Sequence, residues 1–226
     1  MAGESAESET GGGKRRWWDS LFANRTELLA ALVLSASAML TTWAGFQAAL
    51  WDGEQAAAYA RAGTARTEAS RLATENGQEE AADLFLFSQW LNAFANDEEE
   101  LQEFYRKRFQ AEFRPAFEAW MALHPRENPD APPSPFVMPQ YKPPLRATAQ
   151  AKEREADKLF EDGQHANDIS DAFEQATVIF ALALFVGGIS QTFKNEKIVL
   201  GLTILAGIAC LAGVVRLLGL PILRLA

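Results

Sequence analysis

The sequence predicts an all-α fold of three transmembrane helices and an extracytoplasmic helical, coiled-coil domain, and three observations lead there. Three apolar runs are free of charge over residues 28–51, 175–193 and 198–215. Small residues recur at alternating steps of three and four, running out of the first apolar run and back into the second. Between them lies a long segment that is acidic, rich in aromatics at helical spacing, and interrupted by proline at 115 and over 125–144.

The chain opens with MAGESAESETGGG, which is too small and polar to bury apolar area against its ordering entropy. Residues 1–16 are therefore expected to be a disordered cytoplasmic tail. Trp17 and Trp18 follow as an interfacial anchor, with Trp43 and Trp51 serving the opposite interface.

Transmembrane helix 1 is read over 27–51. A hydrocarbon core of about 30 Å needs roughly 20 apolar residues at about 1.5 Å rise each, and this run is long enough. A cleaved leader would carry a shorter apolar core of roughly 7–15 residues, so an uncleaved anchor is expected. Helices 2 and 3 are read over 175–193 and 198–218 by the same criterion. Lys14, Arg15, Arg16 and Arg25 before the first span place the N-terminus in the cytoplasm. Three spans then leave 52–174 outside and the turn Lys194-Asn195-Glu196-Lys197 inside, where its lysines belong. The predicted location is the bacterial inner membrane.

Residues 52–174 hold 24 acidic and 13 basic side chains, against a net charge of −9 for the whole chain. That sign argues against nucleic acid as a partner. The single cysteine, Cys210, lies in the third span, so no disulfide forms within the chain and the outer domain must be held by packing.

Leaving span 1, Ala44, Ala48, Trp51, Gln55, Ala58, Ala62, Ala65, Ala69 and Leu72 alternate by four and three, the heptad seam of a coiled coil. Ala156, Leu159, Gly163, Ala166, Ser170, Phe173, Thr177, Phe180, Leu184 and Gly187 do the same on the return. With no breaker over 146–190, that stretch would be roughly 68 Å of helix. The economical arrangement is an antiparallel pair continuing through the membrane boundary. Ser37, Thr41, Gly45, Ala49 and Gly53, then Ala183 with Gly187 and Ala209 with Gly213, are small-xxx-small patterns that permit close helix packing in lipid.

Asn76-Gly77 reads as a helix stop. Beyond it, Leu84, Phe87, Leu91 and Phe94 form one apolar stripe, and Leu101, Tyr105, Phe109, Phe113, Phe117 and Trp120 another, the expected core of a small helical domain. Asp97-Glu98-Glu99-Glu100 suits a helix N-terminus, and Pro115 should kink or divide the following helix. Residues 125–144 hold eight prolines and are expected to be a linker, with Phe136, Val137 and Met138 tucked against the core.

Two histidines, His124 and His165, without a Cys/His pattern do not make a metal site. There is no glycine-rich phosphate loop and no nucleophile elbow, so no catalytic residue, cofactor or enzymatic activity is expected. Asp52 and Glu54 leave span 1, and Asp168, Asp171 and Glu174 enter span 2. If the helices pair, these five could attract cations, although hydrated acids commonly flank spans. The layout is similar to mitochondrial calcium uniporter pores, yet their W-D-I-M-E-P signature is missing: the inter-span turn here is Lys194–Lys197, and Asn167-Asp168-Ile169-Ser170-Asp171 has neither the tryptophan nor the proline. DAFEQATVIFALALFVGGISQ, Asp171–Gln191, with the Ala/Glu-rich helix before it, resembles bacterial membrane proteins having one N-terminal span, a helical outer domain and a closing two-span hairpin. That resemblance implies a fold and no activity. The expected role is interaction or scaffolding, with the lipid bilayer and either a second copy or another membrane protein as partners; an oligomeric cation channel or transporter subunit with an acidic outer vestibule is the alternative.

Overall fold

The computed structural model describes the backbone of residues 12–224 and the side chains of 25–224. All regular structure among these residues is helical: α1 (Gly12–Ala95), α2 (Glu99–Arg106), α3 (Arg114–Met121), a single 3₁₀ turn (Pro135–Val137), α4 (Pro144–Ser190) and α5 (Glu196–Leu217). The expected tail lies outside the described residues as far as 11, and from Gly12 the backbone is already helical. The side chains of Trp17 and Trp18 also lie outside. Packing divides the chain into two units, one built from residues before 58 and from 162 onward, the other Ala58–Glu161. Stretches of α1, α4 and the whole of α5 are long and apolar enough to cross a membrane, which makes this a multi-pass membrane protein by length and composition.

In the first unit the core is Ala44, Ala48, Ile169, Phe173, Ala176, Phe180, Ala183, Cys210 and Leu217. Alanine dominates because the helices approach closely, and two glycines set the closest approaches. A Cβ on Gly213 would fall 2.5 Å from Phe180 Cε1, and one on Gly187 would fall 2.9 Å from Leu34 Cδ2. Leu32, Met39, Leu182, Phe185, Ile208 and Val215 are exposed, as apolar side chains facing lipid would be. The hydroxyls of Thr41 and Thr42 cost little there, since Thr41 donates to the Ser37 carbonyl at 2.7 Å and Thr42 to that of Ala38 at 3.0 Å, whereas Ser37 Oγ is buried without a partner among the described residues. Asn195 caps α5, its Oδ1 accepting from Lys197 N at 3.0 Å.

In the second unit α1 and α4 run antiparallel. Tyr59 stacks on Phe160 with centroids 5.2 Å apart, Arg66 pairs with Asp157 at 2.8 Å, Lys152 with Glu68 at 3.3 Å and Arg146 with Glu80 at 2.6 Å. Between these rims Ala58, Ala62, Ala65, Ala69 and Leu72 of α1 are buried, as are Ala149 and Ala156 of α4.

Several expectations are corrected. Asn76-Gly77 does not end the helix, which continues to Ala95. Asn76 is buried and its amide donates to Glu80 Oε1 at 2.6 Å, so the side chain is spent along the helix and does not cap an exit from it. The real stop is Asp97, in the left-handed region at φ 59°, with Glu98 N bonding back to the Ala93 carbonyl at 2.9 Å. The apolar stripes also differ from expectation, and Leu101 and Val137 are exposed. Leu84 and Leu91 are 57% and 42% exposed, and the buried face is Asp83, Phe87, Trp90 and Ala93.

The acidic run does open a helix, with Glu99 and Glu100 in the first turn of α2. Pro115 divides as expected, standing in the first turn of α3 where its missing N–H costs nothing. The proline-rich segment is pinned by Trp120, whose Nε1 donates to the Pro132 carbonyl at 2.6 Å, by buried Pro135, and by Phe136 against Phe113 at 4.9 Å.

Candidate functional site

Aromatic packing in the second unit builds a groove. Trp90 projects from α1 and stands edge-on to Phe117 of α3, centroids 4.7 Å apart, with Phe94 stacked on it at 4.8 Å. Because Phe117 and Trp120 hold α3 against α1, the short helix α2 is left lying alongside with no residue of its own buried. Two side chains anchor these surroundings: Gln102 Nε2 donates to the Ala93 carbonyl at 3.3 Å, and Arg114 donates to the Phe109 and Lys107 carbonyls at 2.9 and 3.2 Å.

Between α2 and α3 this leaves an open groove of about 370 Å³. Its floor is Trp90, Phe117 and Met121. Glu99 and Glu103 of α2 and Glu118 of α3 stand on its rim, opposed by Arg106. An apolar floor under a rim with acid in excess suits a side chain with an aliphatic stem and a positive head, whose stem can bury while its charge meets carboxylates.

The residues expected to pack helices are distributed unevenly. Ser37, Ala58, Ala62, Ala65, Ala69, Gly163, Ala166, Ala183, Gly187 and Gly213 are buried, Thr41 and Ala209 half-buried, and Gly45, Ala49 and Gly53 exposed. A strict four-residue step drifts around a helix of 3.6 residues per turn, so the later members of that stripe leave the packed face.

Asp52, Glu54, Asp168, Asp171 and Glu174 are all exposed. Asp171 accepts from Asn167 Nδ2 at 3.1 Å, and Asn167 Oδ1 accepts from Gln55 Nε2 at 2.6 Å, so a chain of amides rather than a ring of carboxylates links α1 to α4 here. Among the described residues no group of three or more His, Cys, Asp or Glu side chains is placed to hold a metal ion.

Three features escaped the sequence reading. Trp90 lies at i+3 from Phe87, a spacing as helical as that from Leu84 to Phe87, and its size is the signal in the sequence. Asp83 is buried on the same face. Gln47, uncharged and inside an apolar run, reaches the far end of the chain at Leu223. No family model, no curated protein and no solved structure matches this chain.

Proposed function

We propose that this protein is an interaction subunit of the bacterial inner membrane, with its N-terminus in the cytoplasm and the helical domain within 52–174 presented outside, where it binds a basic segment of another membrane or envelope protein. The observation that carries this reading is the groove between α2 and α3, aromatic at its floor and acidic at its rim. A lysine or arginine of the partner enters it, with its stem over Trp90 and Met121 and its head among Glu99, Glu103 and Glu118. Rim charges of this kind set association rate and partner choice more than total affinity.

A photo-crosslinking amino acid at Met121 tests it in cells. The adduct should map to a lysine- or arginine-containing segment of one protein, and Glu103→Lys with Glu118→Lys should abolish it. An adduct that survives the double charge reversal, or one formed only with lipid, removes the reading.

A further inference from the structure

Asp83 is the ionisable side chain in the second unit whose enclosure is hardest to reconcile with a charge. It is 3% exposed, and its Oδ1 has no hydrogen-bond partner among the described residues. Its Oδ2 is reached only by a long bond from the Tyr141 hydroxyl, at 3.5 Å. An unpaired buried carboxylate costs several kcal/mol, whereas a neutral carboxyl costs far less.

The surroundings reinforce this. Glu79 and Glu80 on α1 and Glu112 on the turn between α2 and α3 face Asp83 with like charge, and Tyr141 covers it from the segment before α4. The base nearby on α4, Arg146, bonds Glu80 at 2.6 Å. Two turns earlier on α1 the buried Asn76 Oδ1 also lacks a partner, so this helix face is short of donors.

Tyr141, which reaches Asp83, belongs to residues 135–143, a segment tied to no other element by a backbone hydrogen bond among the described residues. Within 135–143 the backbone hydrogen bonds are local, Met138 N to the Pro135 carbonyl at 3.1 Å and Tyr141 N to that of Met138 at 3.0 Å. Attachment to the core is by side chains: buried Pro135, Phe136 on Phe113 and Phe87, and Tyr141 against Phe136 and Phe113 at 5.2 and 5.9 Å. Segments held this way open locally at lower free energy than long helices do.

We propose that Asp83 is a proton-binding site that latches the proline-rich segment onto the aromatic core: the protonated carboxyl lets residues 135–143 close over it, and the carboxylate draws in water by displacing them. The reaction is a proton equilibrium alone, with the proton passing between Asp83 and solvent. Burial, the largest influence, and the three glutamates raise the carboxyl to about 6, while the Tyr141 bond opposes them.

The full chain in detergent tests this, by infrared difference spectroscopy of the protonated carboxyl and by hydrogen exchange of the amides in 136–142, corrected for the intrinsic pH dependence of exchange. Between about pH 5 and about pH 7.5 the carboxyl band should vanish and those amides should exchange about tenfold faster, with one midpoint near 6. Glu112→Gln, a change at an exposed position, should lower the midpoint and Tyr141→Phe should raise it. Asp83→Asn should abolish the band and keep the segment closed at both pH values. Exchange that is independent of pH in the wild type, pH dependence that survives Asp83→Asn, or an unmoved midpoint in Glu112→Gln overturns the latch. The last of these decides even if Asp83→Asn does not fold, and none of them depends on the groove or its partner.

Discussion

Gln47 and Leu223 pair as two backbone strands would: the Gln47 amide donates to the Leu223 carbonyl at 3.1 Å, and its Oε1 accepts from the Leu223 N–H at 3.0 Å. Gln47 is 3% exposed, and an unsatisfied amide there would be expensive. Trp51 adds a bond from Nε1 to the Pro221 carbonyl at 3.2 Å. The segment following α5 is thereby fastened back onto α1, next to the point where Ser170 Oγ donates to the Ala48 carbonyl at 3.0 Å.

Replacing Gln47 by Leu keeps the volume and removes both bonds, leaving the Leu223 backbone groups unpaired. The expected loss is about 2 kcal/mol, roughly 1 for each bond. Thermal unfolding in detergent should show it, and a cysteine placed at Ile222 should become more reactive to a water-soluble maleimide.

Glycine at 213 is required by contact with a ring. Gly213→Ala sets a methyl 2.5 Å from Phe180, which is fully buried and has nowhere to swing, so a loss of about 1–3 kcal/mol is expected. Gly201→Ala meets nothing within 4 Å and should leave the melting temperature unchanged or slightly raised.

The pairing of α1 with α4 in the second unit is held by alanines more than by its ion pairs. Arg66 and its partners Glu153 and Asp157 are about half exposed, so Arg66→Ala should cost less than about 1 kcal/mol. Ala65→Leu forces side-chain volume into a buried position and should cost about 1–3 kcal/mol. Comparing the two variants by denaturant unfolding ranks the effects directly.

Stability of the second unit should depend on acid through Asp83. Its carboxyl goes from 3.8 when unfolded to about 6 when folded, so between those values the folded state keeps a proton that the unfolded state has lost. The contribution of Asp83 is therefore fully present below about pH 4, falls as pH rises toward 6, and is lost above. The difference amounts to at most about 3 kcal/mol. Tryptophan-monitored unfolding across this range should show this downward contribution as the difference between the wild type and Asp83→Asn.

Much of the fold could be read from local pattern, because the deciding quantities are local. Whether a run spans a bilayer depends on its length and lack of charge, and α1, α4 and α5 each carry such a run. Alanine at steps of three and four identifies a face that can approach another helix, and Ala58, Ala62, Ala65 and Ala69 are indeed on a buried face. Proline at 115 and at 125–144 rules out uninterrupted helix whatever surrounds it.

The remaining choices were made by partners distant in the chain. Leu84 with Leu91 and Phe87 with Trp90 are equally good helical stripes; Phe113, Phe117 and Trp120 bury the second because their rings fit against Trp90 and Phe87. Asn76-Gly77 has the composition of a stop, but tertiary burial and the bond to Glu80 carry α1 through it. Gln47 acquires its role from Leu223, 176 positions later. Sequence periodicity determined which residues could share a face, and only the three-dimensional packing decided which face was used, since burying one means matching shapes and hydrogen-bond partners that no local window contains.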